Sequence, residues 1–177
     1  EIVTANELHI PVGRAVSFTL TSADVIHAFW VPKLGGKQDA VPTRESPLWL
    51  LAEQEGTYWG QCAEFCGIAH ANMRFRVVAE SQSNFEQWIT DYRTPTVLSD
   101  TDDAKTPDVD ESRAVEGQAL FMGPGGCITC HTSNGPPMFD QIGPNLTLFG
   151  KRTTLASGIL DNTVTNLTNW LKDPSTI

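Results

Sequence analysis

The sequence predicts a chain in two parts, a β-sandwich over residues 1–92 and a smaller all-α domain over residues 113–177. Three observations point there. Short apolar runs with frequent turn residues fill the first eighty positions, the pattern of many short strands. The stretch 93–112 is rich in Asp, Thr and Pro and has no apolar period, as expected of a linker. Beyond it, apolar residues recur at helical spacing. With 177 residues, 40% hydrophobic and 19% charged, the chain is long enough for one large domain or two small ones.

The elements follow in order. Val16, Phe18 and Leu20 alternate with Ser17 and Thr19, the period of a half-buried strand. Pro11-Val12-Gly13 marks the turn before it. Ile26–Pro32 is a second apolar strand, ended by Gly35-Gly36, and Asp39-Ala40-Val41-Pro42 starts another segment. Leu48–Ala52 reads as a strand, Glu55-Gly56 as a turn, and Phe75–Ala79 as the closing strand. Trp30, Trp49 and Trp59 read as core or rim packing, and His9 as a strand histidine. Phe85, Trp88, Ile89 and Tyr92 lie at helical spacing after Asn84, a candidate N-cap. In the second part, Glu111–Met122 and Val164–Leu171 read as helices, and Pro124-Gly125-Gly126 ends the first.

The net charge of −9 argues against nucleic acid as a partner, which would favour a basic surface. Asp100–Glu111 holds six acids and one lysine, net −5, leaving −4 for the remainder; this run reads as solvated linker. No run approaches the ~20 apolar residues that span a bilayer, and no signal peptide is recognisable.

All four cysteines lie in two compact motifs, so cofactor chemistry explains them better than a disulfide framework. In Gly60–Met73 (GQCAEFCGIAHANM), Cys62, Cys66, His70 and Met73 follow one another at spacings of four, four and three. Thiolate and thioether favour copper, and imidazole suits it. One copper held by Cys, His and Met would use a single thiol, so the second thiol suggests a second copper with both sulfurs bridging. A further ligand from elsewhere is needed, and His27 is the candidate. A Cys62–Cys66 disulfide leaves the His and Met spacing without a reason. A tetrahedral zinc held by Cys62, Cys66, His27 and His70 makes no use of Met73.

Asp24–Pro32 (DVIHAFWVP) and Gly60–Met73 resemble the two signature segments of the dinuclear copper domain, CuA, in subunit II of haem–copper oxidases. The resemblance covers about the first 92 residues. It implies a cupredoxin-like β-sandwich with bridging Cys62 and Cys66, terminal His27 and His70, and weak ligation by Met73 and the Glu64 carbonyl. It also implies a magnesium at the Glu64 carboxylate, shared with subunit I.

Cys127-Ile128-Thr129-Cys130-His131 is the attachment signature of c-type haem. Two cysteines three apart can form thioethers to two vinyl groups, which holds the adjacent His under the iron. A redox dithiol is the alternative reading, and nothing here suggests the βαβ unit that would accompany it. The later segments resemble class I cytochromes c, in particular the cytochrome domain fused to subunit II in caa-type oxidases. Ile142-Gly143-Pro144-Asn145-Leu146 is similar to the family's GPxL segment, which implies that the Pro144 carbonyl orients His131. Arg152 falls where the family often has a residue facing a haem propionate. Trp170–Pro174 is similar to the segment before the distal methionine, which the family places beyond Ile177. Met122 and Met138 suit packing or loop positions, and the cytochrome domain reads as incomplete.

Taken together, the resemblance implies an electron-transfer subunit of a respiratory terminal oxidase. Electrons would pass from haem c through the copper pair to haem a of subunit I, with a small soluble redox protein as donor. The expected location is the exterior or periplasmic face of the membrane, with a native N-terminal membrane anchor preceding this fragment. The alternatives are the equivalent subunit of a CuA-containing nitric oxide reductase, a copper carrier or a haem sensor.

Overall fold

The computed structural model describes residues 2–93, 111–133 and 143–176. Seven strands build the first part: β1 (Glu7–Pro11), β2 (Val16–Leu20), β3 (His27–Trp30), β4 (Gln38–Ala40), β5 (Ser46–Leu50), β6 (Gly56–Cys62) and β7 (Arg74–Glu80). They form a five-stranded sheet in the order β1-β7-β6-β3-β4 and a two-stranded sheet of β2 and β5. β1 runs parallel to β7, and β6 is antiparallel to β7 and β3. The alternation in β2 does what its period predicts: Val16, Phe18 and Leu20 are half-buried, and Ser17 and Thr19 exposed.

The core lies between the two sheets. Ile10 of β1 and Val77 and Ala79 of β7 meet Leu50 of β5, together with Val31 and Ala52, and Val16 and Phe18 of β2 pack against them. Burial of apolar surface from both sheets is the main stabilising term of such a sandwich. Phe29 stacks on Phe75 at 4.5 Å, which ties β3 to β7 across β6. Trp49 and Trp59 are exposed and belong to the outer faces rather than the core. The guanidinium of Arg76, opposite Trp59 in the ladder, lies 4.4 Å from the Trp59 ring.

Helix α1 (Gln82–Arg93) begins two residues before Asn84. Its cap is Ser81, whose hydroxyl accepts the Asn84 N–H at 3.2 Å. Asn84 is therefore inside the first turn, where its own N–H is one of the orphan donors that Ser81 satisfies. Trp88 of this helix stacks on His9 at 4.3 Å, and His9 pairs with Glu80 at 2.6 Å, so His9 serves the outer face of the sheet.

Further along are α2 (Glu111–Met122), the two-residue strands β8 (Thr154–Leu155) and β9 (Leu160–Asp161), and α3 (Val164–Lys172). Thr163 caps α3 by accepting the Asn166 N–H at 3.2 Å. Most of the expected linker and its acidic run, with Met138 and Ile142, lie outside the described residues. At the linker's edges, Arg93 ends α1, while Glu111 and Ser112 begin α2.

The chain divides into two compact units, Thr4–Thr90 with Gly150–Ile177, and Glu1–Val3 with Asp91–Phe149. The grouping of 150–177 with Thr4–Thr90 rests on Glu7, a buried carboxylate of β1. Its Oε1 accepts the backbone N–H of Thr153 at 2.8 Å and of Thr154 at 2.9 Å, and both threonine hydroxyls. Arg76 adds bonds to Thr153 and Asp161, and the Arg74 N–H donates to the Ser157 carbonyl at 3.1 Å.

Glu7→Ala would leave these buried donors without their acceptor. A loss of about 2–4 kcal/mol is expected, read as a lower denaturant midpoint. An unchanged midpoint would show that the clasp contributes nothing.

Candidate metal centre

Pairing of β3 with β6 assembles the first site. Phe29 lies opposite Cys62 and Trp30 opposite Gln61. His27, two residues before Phe29, is on the same face of β3, at the end of the strand where the Ala63 N–H donates to the Ala28 carbonyl. Residues 35 positions apart thereby become neighbours. After Cys62 the chain makes a loop that closes on itself, with the Cys62 N–H donating to the Met73 carbonyl at 3.0 Å. Gly67 turns the loop with φ of +123°, a conformation side-chain-bearing residues rarely adopt. The short 3-10 turn His70–Asn72 then follows, its first N–H donating to the Gly67 carbonyl.

The sulfurs of Cys62 and Cys66 are 3.7 Å apart. That is well beyond the ~2.05 Å of a disulfide, and both thiols are free. Both sulfurs lie beside imidazoles: Cys62 Sγ is 3.8 Å from His27 Nδ1, Cys66 Sγ is 3.5 Å from His70 Nδ1, and His70 reaches Cys62 as well. The Glu64 carbonyl lies 3.2 Å from Cys62 Sγ, while the Glu64 side chain is exposed. Met73 is half-buried at the end of the loop, placed by its two backbone hydrogen bonds. Ligand atoms of His27, Cys62 and Cys66 all lie within 4.8 Å of one another, and His70 stays outside that trio. A single tetrahedral ion with bonds of ~2.0–2.3 Å needs all four donors within about 4 Å of one another. The donors within 4.8 Å of one another are an imidazole and two thiols, which is one short of such a tetrahedral set.

The electrostatics suit a cation. Burial opposes ionisation of Cys62, yet backbone hydrogen bonds at Ala28 and Glu64, with the His27 and His70 imidazoles, bring its thiol down to about 6. Cys66 moves the other way, raised by desolvation and then by the neighbouring Cys62 sulfur. His27 is raised by its hydrogen bond to Asp24, against its burial. That same bond, with those of Val25 and Ser22, holds Asp24 down to about 2.

The second motif forms a tight turn after α2. Cys127–Thr129 make a 3-10 turn entered through Gly126 in the left-handed region. The His131 N–H donates to the Cys127 carbonyl at 2.9 Å. The His131 ring places Nδ1 2.8 Å from the Pro144 carbonyl. Two backbone bonds pin the 143–146 segment to the turn, Gly143 N–H to Cys130 and Leu146 N–H to Thr132. A Cβ at Gly143 would sit 2.5 Å from the His131 ring, so only glycine fits there. Arg152 is buried in the other unit, and its carbonyl accepts the Asn162 side-chain N–H. Sequence reasoning passed over Asp24 as a site residue, although Asp three residues before a candidate His ligand was a usable signal. It also passed over Glu7, for which no local signal exists.

In metal-free protein with Cys127 and Cys130 replaced by Ser, the ultraviolet thiolate absorbance should rise in two separate steps. One near pH 6 should vanish in Cys62→Ser; the other should lie above the ordinary thiol range. A single step near the ordinary thiol value of ~8.5 would contradict the asymmetry.

Comparison with known proteins follows the same lines. Residues 1–81 match the family described as cytochrome C oxidase subunit II, periplasmic domain. The chain is 36% identical over 171 residues to cytochrome c oxidase subunit 2 of Alkalihalophilus pseudofirmus, covering 97% of this chain and 46% of that protein. It is 35% identical over 185 residues to the subunit 2 of a Bacillus species, covering 99% of this chain and 49% of that protein. Among solved structures, the periplasmic domain of subunit II of cytochrome oxidase from Bradyrhizobium japonicum is 38% identical. It covers 50% of this chain and 64% of that one, with a TM-score of 0.48. The chain spans about half the length of the curated relatives it matches, and the similarity to both covers nearly all of this chain. Residues 1–81, the β-sandwich that carries His27, Cys62, Cys66, His70 and Met73, thus match the periplasmic domain of cytochrome c oxidase subunit II.

Proposed function

We propose that this chain is the electron-transfer part of subunit II of a respiratory haem–copper terminal oxidase. The observation that carries the reading is the pair of thiols 3.7 Å apart with the His27 and His70 imidazoles beside them. Cys62 and Cys66 would bridge two coppers, His27 and His70 would end the cluster, and Met73 and the Glu64 carbonyl would ligate weakly. Bound there, the copper pair supplies one-electron exchange with little change in bond lengths. Electrons would come from haem c and leave for haem a of subunit I.

The chain's own residues prepare that exchange. The β3–β6 register fixes His27 and Cys62 on rigid strands, so the donors are in place before metal arrives. The low position of the Cys62 thiol supplies one thiolate near neutral pH. Phe65 and Ile68 stand out of the same loop, fully or mostly exposed. Apolar side chains in water at a ligand loop favour a protein partner, and subunit I is the partner proposed. The Glu64 carboxylate, exposed beside them, is the proposed magnesium contact at that boundary.

For the second half we propose covalent haem c at Cys127 and Cys130, with His131 as a ligand to its iron, in a class I cytochrome c domain. Support comes from the His131–Pro144 contact: a carbonyl that accepts one ring N–H fixes the tautomer and frees the other nitrogen. The proposed haem-propionate role of Arg152 rests on the resemblance alone. The proposed organisation remains 1–92, 93–112 and 113–177, with Gly150–Ile177 grouped on the first unit. No helix among the described residues is long and apolar enough to cross a membrane. A periplasmic placement, an N-terminal anchor in the full subunit and a small soluble redox donor are parts of the same proposal.

Metal analysis tests the copper reading. Two coppers per chain are expected, with loss of the pair in Cys66→Ser; one metal per chain, or zinc, would overturn it. Gly143→Ala tests the haem reading separately. It should displace the His131 ring and lower covalently bound haem or alter its axial-ligand absorbance, and unchanged content and spectrum would contradict the arrangement.

A further inference from the structure

The two imidazoles of the candidate centre are held differently. His27 Nε2 lies 2.8 Å from Asp24 Oδ1, three residues earlier. Asp24 is itself fixed from behind: the Ser22 hydroxyl lies 3.0 Å from the same Oδ1, and the Asp24 N–H donates to Ser22 Oγ at 3.3 Å. Ser22 in turn bridges to Pro42. His70 has no such support. Its Nδ1 faces Cys66, its ring meets the edge of Phe65 at 5.8 Å, and no carboxylate pairs with it among the described residues.

We infer that Asp24 is a positioning residue that fixes the tautomer of His27, turning a bare Nδ1 toward Cys62 and making His27 the anchored end of the centre. The argument is one of donors and acceptors. An ionised carboxylate only accepts, so the Asp24 contact requires the proton on Nε2. In the neutral ring Nδ1 then carries the lone pair, and it is the nitrogen 3.8 Å from Cys62 Sγ; once the ring is protonated, the same Nδ1 donates toward the Cys62 thiolate. A carboxylate behind a ligating imidazole also raises its basicity and holds its plane. The neighbouring turn supplies rigidity, since Ser22, Asp24 and His27 span only six residues and lead straight into β3. Among the described residues, no carboxylate fixes the tautomer of His70.

This inference rests on the copper reading for its effect on metal retention and is independent of it for the tautomer. Nitrogen chemical shifts of the His27 ring in metal-free protein report the tautomer directly. The parent chain should show the Nε2–H form, Asp24→Asn should keep it through the remaining side-chain oxygen, and Asp24→Ala should lose it. A parent His27 with its proton on Nδ1, or an unchanged tautomer in Asp24→Ala, would overturn the inference. Competition with a chelator, using copper alone as the probe, gives the second readout. Asp24→Ala should release copper at about 10–100-fold lower chelator concentration, with Asp24→Asn between it and the parent. Equal retention in all three would also overturn it. If the parent binds no copper pair while its tautomer follows Asp24 as expected, the copper reading fails and the positioning role stands.

Discussion

The register of β3 against β6 is the contact on which the candidate centre depends. Phe29 opposite Cys62 sets His27 one pleat away from the first thiol, on the same face. Side chains alternate along a strand, so a slip of one residue would turn His27 to the other face and leave Cys62 beside a backbone amide. Packing pins the register: Phe29 stacks on Phe75 of β7, and Phe18 of the second sheet meets Phe29 from across the core. The same core that stabilises the sandwich therefore sets the spacing of two candidate ligands 35 residues apart.

Rigidity is graded outward from that contact. Cys62 and His27 are strand residues with a core beneath them. Cys66, His70 and Met73 belong to a loop closed by one backbone bond between Cys62 and Met73 and by the turn at His70–Asn72. The strands supply fixed donors, and the loop supplies donors that can adjust to the metal. The protonation pattern follows the same gradient. Cys62 collects backbone and imidazole hydrogen bonds that favour its thiolate, and Cys66, next to that sulfur, is pushed the other way. On the proposed copper reading, one thiolate would precede the metal and the second proton would leave on binding.

Much of this was legible in the sequence, for physical reasons that can be named. The period-two alternation of Val16–Leu20 and the turn at Pro11–Gly13 located β1 and β2, because burial on one face leaves a direct trace in the residue order. The spacing of Cys62, Cys66, His70 and Met73 marked the candidate ligand loop, because a loop must carry its donors close together in sequence. Long-range partners left less trace. His27 could be named only as a candidate until strand pairing put it beside Cys62. Glu7 reads locally as an ordinary strand carboxylate, and only its four bonds to Thr153 and Thr154 reveal why it is buried. That clasp also explains the grouping of 150–177 with the first unit. Asn84 was misplaced as a cap because Ser81, three residues earlier, is an equally good acceptor and lies nearer the end of β7.

The central claim is that Cys62 and Cys66 bridge two coppers that share one unpaired electron. Low-temperature electron paramagnetic resonance of the oxidised, copper-loaded protein tests it most directly. The account predicts a hyperfine multiplet from one electron spread equally over two copper nuclei. The simple quartet of a single copper nucleus, or a silent spectrum from a zinc-filled site, would contradict it.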